Sequence, residues 1–270
     1  MTASVFDNVA ASYDLEFVES PLGRDLRAIV WERLRANFKA GDLILELNCG
    51  TGEDAVWLAG KGIRVVATDV SGEMLKATAR KAAAKGVSQM IEVRRLDIAR
   101  PEAVISGARF DGVFSDFGGL NCADDLEPLA TMLAEHVVPG GMLLLVLLGR
   151  YCPWEIAWHC LHLQPSTAFR RLRRGGAEGK VGRRVIRVQY PTARSLSRVF
   201  APWFTLVRVA GLGVFLPPTY LAERMARNPR LCRFLGRLEC GLAGRFPFSR
   251  LGDHQILEFR RAGECLRHGR

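Results

Sequence analysis

The sequence predicts an α/β fold: a doubly wound, mostly parallel sheet with helices on both faces and helical insertions in the C-terminal half. Three observations predict it. Short apolar runs alternate with helix-patterned segments from residue 43 to 148, the signature of βαβ units and a parallel sheet. The runs are apolar throughout, as strands buried on both faces are. The first run ends in a glycine-rich turn and the second in an acid, Asp69.

Taken in order, residues 1–40 read as helical, with Val30, Trp31, Leu34 and Phe38 at helical spacing. Strands are expected at Leu43–Leu47, Ile63–Thr68, Ile91–Arg94, Phe110–Ser115 and Met142–Leu148. Helices are expected at Asp54–Ala59, Gly72–Ala84 and Leu126–Val137, the last stopped by Pro139-Gly140-Gly141. After Arg150 the rhythm changes. Pro153–Leu163 reads as a Trp- and His-rich helix, and Arg170–Arg184 as a basic, glycine-rich loop. Val185–Tyr190 and Phe204–Val209 read as strands flanking a helix at Thr192–Phe200, and Gln255–Arg260 as the last strand. Between them, residues 211–248 place Arg224, Arg227, Arg230, Arg233 and Arg237 three or four apart, with leucines on other faces and a break at Pro229.

Composition narrows the class. Of 270 residues, 49% are apolar and 24% charged, which excludes a disordered chain, a fibre and a small disulfide scaffold. The apolar run Met142–Leu148 is far short of the ~20 residues of a membrane helix, and no signal peptide is expected in Met1–Glu19. Seven cysteines without a C-x-x-C imply reduced thiols, a cytoplasmic setting and no metal site. Charge is uneven. Residues 1–150 carry 16 Lys and Arg against 21 Asp and Glu, whereas residues 151–270 carry 22 against 7. That half calls for an anionic partner.

The chemistry lies at Glu46-Leu47-Asn48-Cys49-Gly50-Thr51-Gly52. A strand entering a glycine-rich turn and then a helix lets backbone approach a ligand closely, at the carboxyl edge of the sheet. Asp69 ends the next strand, where an acid accepts hydrogen bonds from both hydroxyls of a ribose. The turn holds only Gly50 and Gly52, short of G-x-G-x-x-G, and it starts at Glu46. A carboxylate there opposes a diphosphate but suits a cationic ligand such as S-adenosylmethionine, which carries an ammonium and a sulfonium.

Residues 43–52 with Asp69 resemble the class I S-adenosylmethionine-dependent methyltransferase family, and motifs over about residues 6–150 extend the likeness. The resemblance implies a seven-stranded Rossmann-like sheet within a single domain. In it, 1–40 would be an N-terminal lid, 41–150 the cofactor-binding core and 151–270 the acceptor-binding insertions with the last strands. It implies that Gly50 and Gly52 bring backbone to the cofactor and that Asp69, followed by Val70, binds the ribose. Met74 would lie at the adenine, and Asp97, beside Ile98, would meet its amino group. Ser115 and Asp116 would stand beside the reacting methyl, Glu46 near the ammonium, and Tyr13 in the lid. Pro139-Gly140-Gly141 would be the turn before strand five. One departure is Asn48, where the family carries Gly or Ala; Asn tolerates left-handed backbone and its amide can reach the methionine end.

A general base is needed only if the acceptor must lose a proton. His159, His162 and Asp116 are the leading candidates, with His136, His254 and Tyr151 behind them. The aromatic stretch Tyr151–Trp158 is expected to line a greasy pocket or a lid. These features favour a small, hydrophobic acceptor (quinone-like, polyketide, polyprenyl or lipid), handled by a cytoplasmic enzyme whose basic amphipathic segment meets an anionic membrane surface. The competing readings are an RNA methyltransferase using the Arg-rich half and a non-catalytic binding protein; oligomeric state stays open.

Overall fold

A computed structural model describes residues 5–8, 20–101, 107–181, 184–218 and 228–263. Seven strands form one sheet in the order β3-β2-β1-β4-β5-β9-β8, and two more form a separate hairpin, β6-β7. The first five are β1 (Leu43–Leu47), β2 (Arg64–Asp69), β3 (Ile91–Arg95), β4 (Phe110–Ser115) and β5 (Val137–Leu148), all parallel. β9 (His254–Arg261) lies antiparallel between β5 and β8 (Phe204–Leu212). The expected doubly wound sheet is therefore present. Strand order reverses between β1 and β4, which opens a crevice at their carboxyl ends.

Successive residues of each central strand enter different cores. Leu45, Leu47, Val113, Leu143 and Leu145 pack under α4 (Glu127–His136) and α6 (Ala193–Phe200). Ile44, Val65, Phe114, Leu144 and Val146 pack under α1 (Pro21–Asn37) and α2 (Glu53–Ala59). Burial on both faces explains why these runs lack period-two patterning. α1 starts at Pro21, capped by Ser20, whose Oγ accepts the Gly23 amide at 3.0 Å, and it buries Leu22, Leu26, Val30 and Leu34. Across the molecule, Arg33 of α1 grips the buried Glu258 of β9 through two hydrogen bonds, 2.6 and 2.9 Å.

Several boundaries differ from expectation. β5 begins at Val137, so Pro139-Gly140-Gly141 lies inside the strand. Its pairing jumps from Phe110↔Val137 to Gly112↔Met142, and the intervening residues bulge out with Gly140 at φ +82°. The basic loop expected at 170–184 holds a strand, β6 (Ala177–Val181), paired antiparallel with β7 (Arg184–Val188). Pro229 opens a helix, α7 (Pro229–Leu242), where Asn228 Oδ1 accepts the Leu231 amide at 3.1 Å. The upstream half of that segment, with Arg224 and Arg227, lies outside the described residues. α3 (Gly72–Ala84) and α5 (Pro153–Leu161) complete the set used below. Among the described residues, no helix is long and apolar enough to cross a membrane.

Candidate functional site

At the carboxyl edge of β1, β2 and β4 lies a cavity of about 590 Å³, roofed on one side by Phe6 and on the other by the β6-β7 hairpin. The turn after β1 forms its floor. Asn48 takes φ +56°, Gly50 φ +54° and Gly52 φ +81°. A left-handed Asn is the side chain that pays least for that backbone, and its place in the turn matches the sequence reading. Gly52 does not line the cavity. A Cβ there would sit 2.6 Å from Thr78 Cγ2, so glycine lets the turn press against α3.

Asn48, Gly50, Asp69, Val70, Met74, Asp97, Ile98 and Asp116 all line the cavity. Asp69 is held from both sides: Oδ1 accepts the Ser71 amide at 2.8 Å and Oδ2 the Gly50 amide at 3.1 Å. Burial raises its carboxyl above the ordinary range, while those amides pull it back. Ser71 caps α3 by accepting the Met74 amide, and its hydroxyl donates to Asp7 at 2.5 Å, which docks the N-terminal turn over the cavity. Asp97 is exposed and its Oδ1 accepts the Ala99 amide at 3.0 Å. Tyr13 lies outside the described residues.

Glu46 and Ser115 sit beneath the floor rather than on it, fully buried. Glu46 belongs to a knot of acids. Arg27 of α1 is hydrogen-bonded to Asp54, whose other oxygen accepts Trp31 Nε1 at 2.7 Å. The same guanidinium stands 3.8 Å from Asp116 and spreads over the Phe117 ring at 4.9 Å. Burial first, then the neighbouring acids, push Glu46 and Asp116 well above the carboxylate range, with Arg27 opposing. Among the described residues, Glu46 Oε2, Asp116 Oδ2, Ser115 Oγ and Asn48 Nδ2 are buried with no hydrogen-bond partner, and the three acids lie around one cation. That donor set fits a ligand bringing positive charge and an acceptor oxygen. Arg27 and Asp54 escaped the sequence reading. The available signal was an arginine on the buried stripe of α1, next to Leu26.

Neither His159 nor His162 reaches the cavity. Both lie at the far end of α5, where His159 Nδ1 meets Gln164 at 2.8 Å and His162 Nδ1 meets the Trp158 carbonyl at 2.7 Å. Nor does Tyr151–Trp158 line it. α5 turns inward through Glu155, which is 1% exposed and pairs with Arg170 and Arg171. The cavity is lined there instead by Phe117, Cys122, Leu148, Ile186, Val188 and Tyr190, together with Arg170 and Lys180. Sequence reading missed the hairpin because β6 has two charged residues and a glycine in five. Phe117 takes φ +42°, a strained value for an aromatic residue.

The profile of the methyltransferase domain family matches residues 44–141. Residues 44–141 are thus similar to that family. Within this methyltransferase fold, the demethylmenaquinone methyltransferase of Mycolicibacterium vanbaalenii is 35% identical over 144 residues, covering 52% of this chain and 57% of the relative. The chain thus spans little more than half the length of the curated relatives it matches. The CcbJ methyltransferase of Streptomyces caelestis superposes with a TM-score of 0.63 at 18% identity, over 97% of this chain and 99% of that one. The DhpI–SAH complex gives 0.56 at 19% identity, over 95% and 93%. These likenesses place the methyltransferase fold across the whole chain, while the family profile stops before the acceptor-side hairpin.

Proposed function

We propose that this chain is an S-adenosylmethionine-dependent methyltransferase acting on a small, hydrophobic acceptor, quinone-like as the names of its curated relatives suggest. The observation that carries the reading is the buried excess of acid at the glycine-rich turn: Glu46, Asp54 and Asp116 around the single guanidinium of Arg27. A dinucleotide would bring two phosphates to that place. S-adenosylmethionine brings an ammonium and a sulfonium, and a carboxylate suited to the free amide of Asn48.

When bound, the cofactor supplies a methyl carbon already activated by the sulfonium. The chain's own residues supply position. Asp69 is set to take the ribose hydroxyls, Met74 and Ile98 to enclose the adenine, and Asp97 to meet its amino group. The apolar walls Phe117, Leu148 and Val188 would align the acceptor in line with the methyl, where positioning alone accounts for much of the rate. Where the acceptor is a hydroxyl, Asp116, which lines the cavity and whose carboxyl burial pushes well above the ordinary range, is the acid placed to take its proton.

The test is calorimetric titration of S-adenosylhomocysteine into wild type and Asp69→Ala, with NAD as competitor. The expected outcome is binding in the wild type, no effect of NAD, and a loss of about 100-fold or more in the variant, since two charge-assisted hydrogen bonds are removed. Equal affinity in Asp69→Ala refutes the cofactor placement. Partition of transferred methyl label between organic phase, polar metabolites and RNA then decides the acceptor class; label in RNA overturns the hydrophobic-acceptor reading.

A further inference from the structure

Nine of the ten large hydrophobic side chains that stand exposed among the described residues fall within 151–250. The same stretch holds 18 Lys and Arg against four Asp and Glu. Two of the four, Glu155 and Glu239, are buried, the first on Arg170 and Arg171 and the second on the amides of Val214, Phe215 and Leu216. What this surface shows to solvent is therefore cationic and apolar together.

The two characters meet most closely at residues 158–173. α5 ends through Leu163, which takes φ +57°, the left-handed position where glycine is the ordinary choice. Its side chain is 89% exposed, Leu161 is 82% exposed and Phe169 46%. Backbone strain is thus spent at a leucine that stands almost wholly in solvent among the described residues. Immediately beside it lies a groove of about 510 Å³ lined by Arg170, Arg173 and Arg187 with the hydroxyl-bearing Ser166 and Thr167. Glu178, opposite Arg187 in the hairpin register, is the one acid in its lining. Arg170 lines both this groove and the large cavity.

We propose that this edge docks the protein on an anionic lipid bilayer. Leu161, Leu163 and Phe169 enter the acyl boundary, the Arg170–Arg173–Arg187 groove takes lipid phosphate, and Arg170 sets the cavity's acceptor end against the membrane. Charge complementarity selects the occupant, and exposed aliphatic leucines favour lipid over a nucleic acid, whose bases stack on aromatic faces. The proposal stands apart from the catalytic reading, because docking needs neither cofactor nor turnover.

The experiment is flotation of the full chain with phosphatidylcholine vesicles and with vesicles rich in phosphatidylglycerol. The phosphatidylglycerol vesicles are expected to carry the protein and phosphatidylcholine to leave it behind. Arg173→Gln with Arg187→Gln should weaken binding about 25-fold, roughly fivefold for each charge removed near an anionic surface. Leu161→Ser with Leu163→Ser should weaken it by at least about tenfold while leaving the thermal midpoint unchanged, since both side chains are already in water. Binding unchanged in both variants would assign the contact to another surface, α7 first among them, and overturns the proposal. So does equal binding to both vesicles, or retention on RNA but on neither vesicle.

Discussion

Arg27→Met tests the acid knot directly. The guanidinium is hydrogen-bonded to Asp54, stands 3.8 Å from Asp116 and opposes the charge of Glu46. Met keeps most of the volume and removes the charge. Breaking a buried pair from one side costs about 3–5 kcal/mol, and at the unfolding entropy of a chain this long each kcal/mol is worth roughly 2 °C. A fall in thermal midpoint of about 6–10 °C is therefore expected near neutral pH. The sign with pH follows from the acids. Glu46 and Asp116 have folded-state values raised above their unfolded ones, first by burial. Their contribution to stability is complete below the unfolded carboxylate range, about pH 4, and is lost as pH rises through the raised folded values. Removing Arg27 raises those values further, so the deficit should be largest at about pH 7.5 and shrink toward about pH 5. Saturating S-adenosylmethionine should restore part of the midpoint, because it returns positive charge to the same place. Scanning calorimetry at both pH values, with and without cofactor, reads all of this. A deficit below about 2 °C, or one that does not change with pH, refutes the reasoning that these carboxylates depend on Arg27.

Three further outcomes are expected. Gly119→Ala should weaken S-adenosylhomocysteine binding about tenfold, because the new Cβ would lie 2.5 Å from Asn48 Cβ and push that side chain from the turn; adding Asn48→Gly should restore the affinity, read by calorimetry. His159→Ala with His162→Ala should leave kcat/KM within about twofold of wild type, since neither ring reaches the cavity, and a larger loss in steady-state assay returns them to the mechanism. If Asp116 takes the acceptor's proton, Asp116→Asn should lower kcat and flatten the acid side of the pH–rate profile; a profile like that of the wild type rules Asp116 out as the base.

The cofactor half was legible in the sequence because local rules settle it. Gly72–Ala84 and Phe110–Ser115 match their expected boundaries to the residue. There, Ser71 is a cap that follows a strand-end acid, and β4 is a run closed on both sides by polar turns. Asn48 stands where the resembled family carries Gly or Ala, and its left-handed backbone, φ +56°, is one that Asn tolerates. The acceptor half was not legible, because distant pairings decide it. Next to Tyr190, the Gln189 carbonyl accepts from Asn121 at 2.6 Å across 68 residues of sequence, and Asn121 also accepts the Leu148 amide at 2.8 Å, tying the hairpin to the end of β5. The histidines misled for the same reason. A Trp- and His-rich helix just after strand five has the composition of a pocket wall, yet its direction is set by Glu155, whose partners lie 15 and 16 residues further on.

That arginine pair also explains how the acceptor wall holds its shape. Arg171 spends Nε and both Nη atoms on Glu155, Asp253 and the carbonyls of Gly149 and Asp253, joining the ends of β5, α5 and β9. Burial opposes charge on Glu155 and Asp253, but the guanidiniums, with His254 beside Asp253, hold both below the ordinary carboxylate range. Cys152, Glu155 and Asp253 lie close enough together to ligate a metal. Arg171 already stands among them as the compensating cation, and burial pushes the Cys152 thiol up to about 12, away from the thiolate a metal needs. The cluster is thus a frame rather than a second site. Because Glu155 binds Arg170 and Arg171 together, it fixes one arginine in the core and the next at the cavity margin. The position of Arg170 in the cavity lining is then a consequence of core packing, and a substitution at Glu155 would disturb that wall although Glu155 does not line the cavity itself.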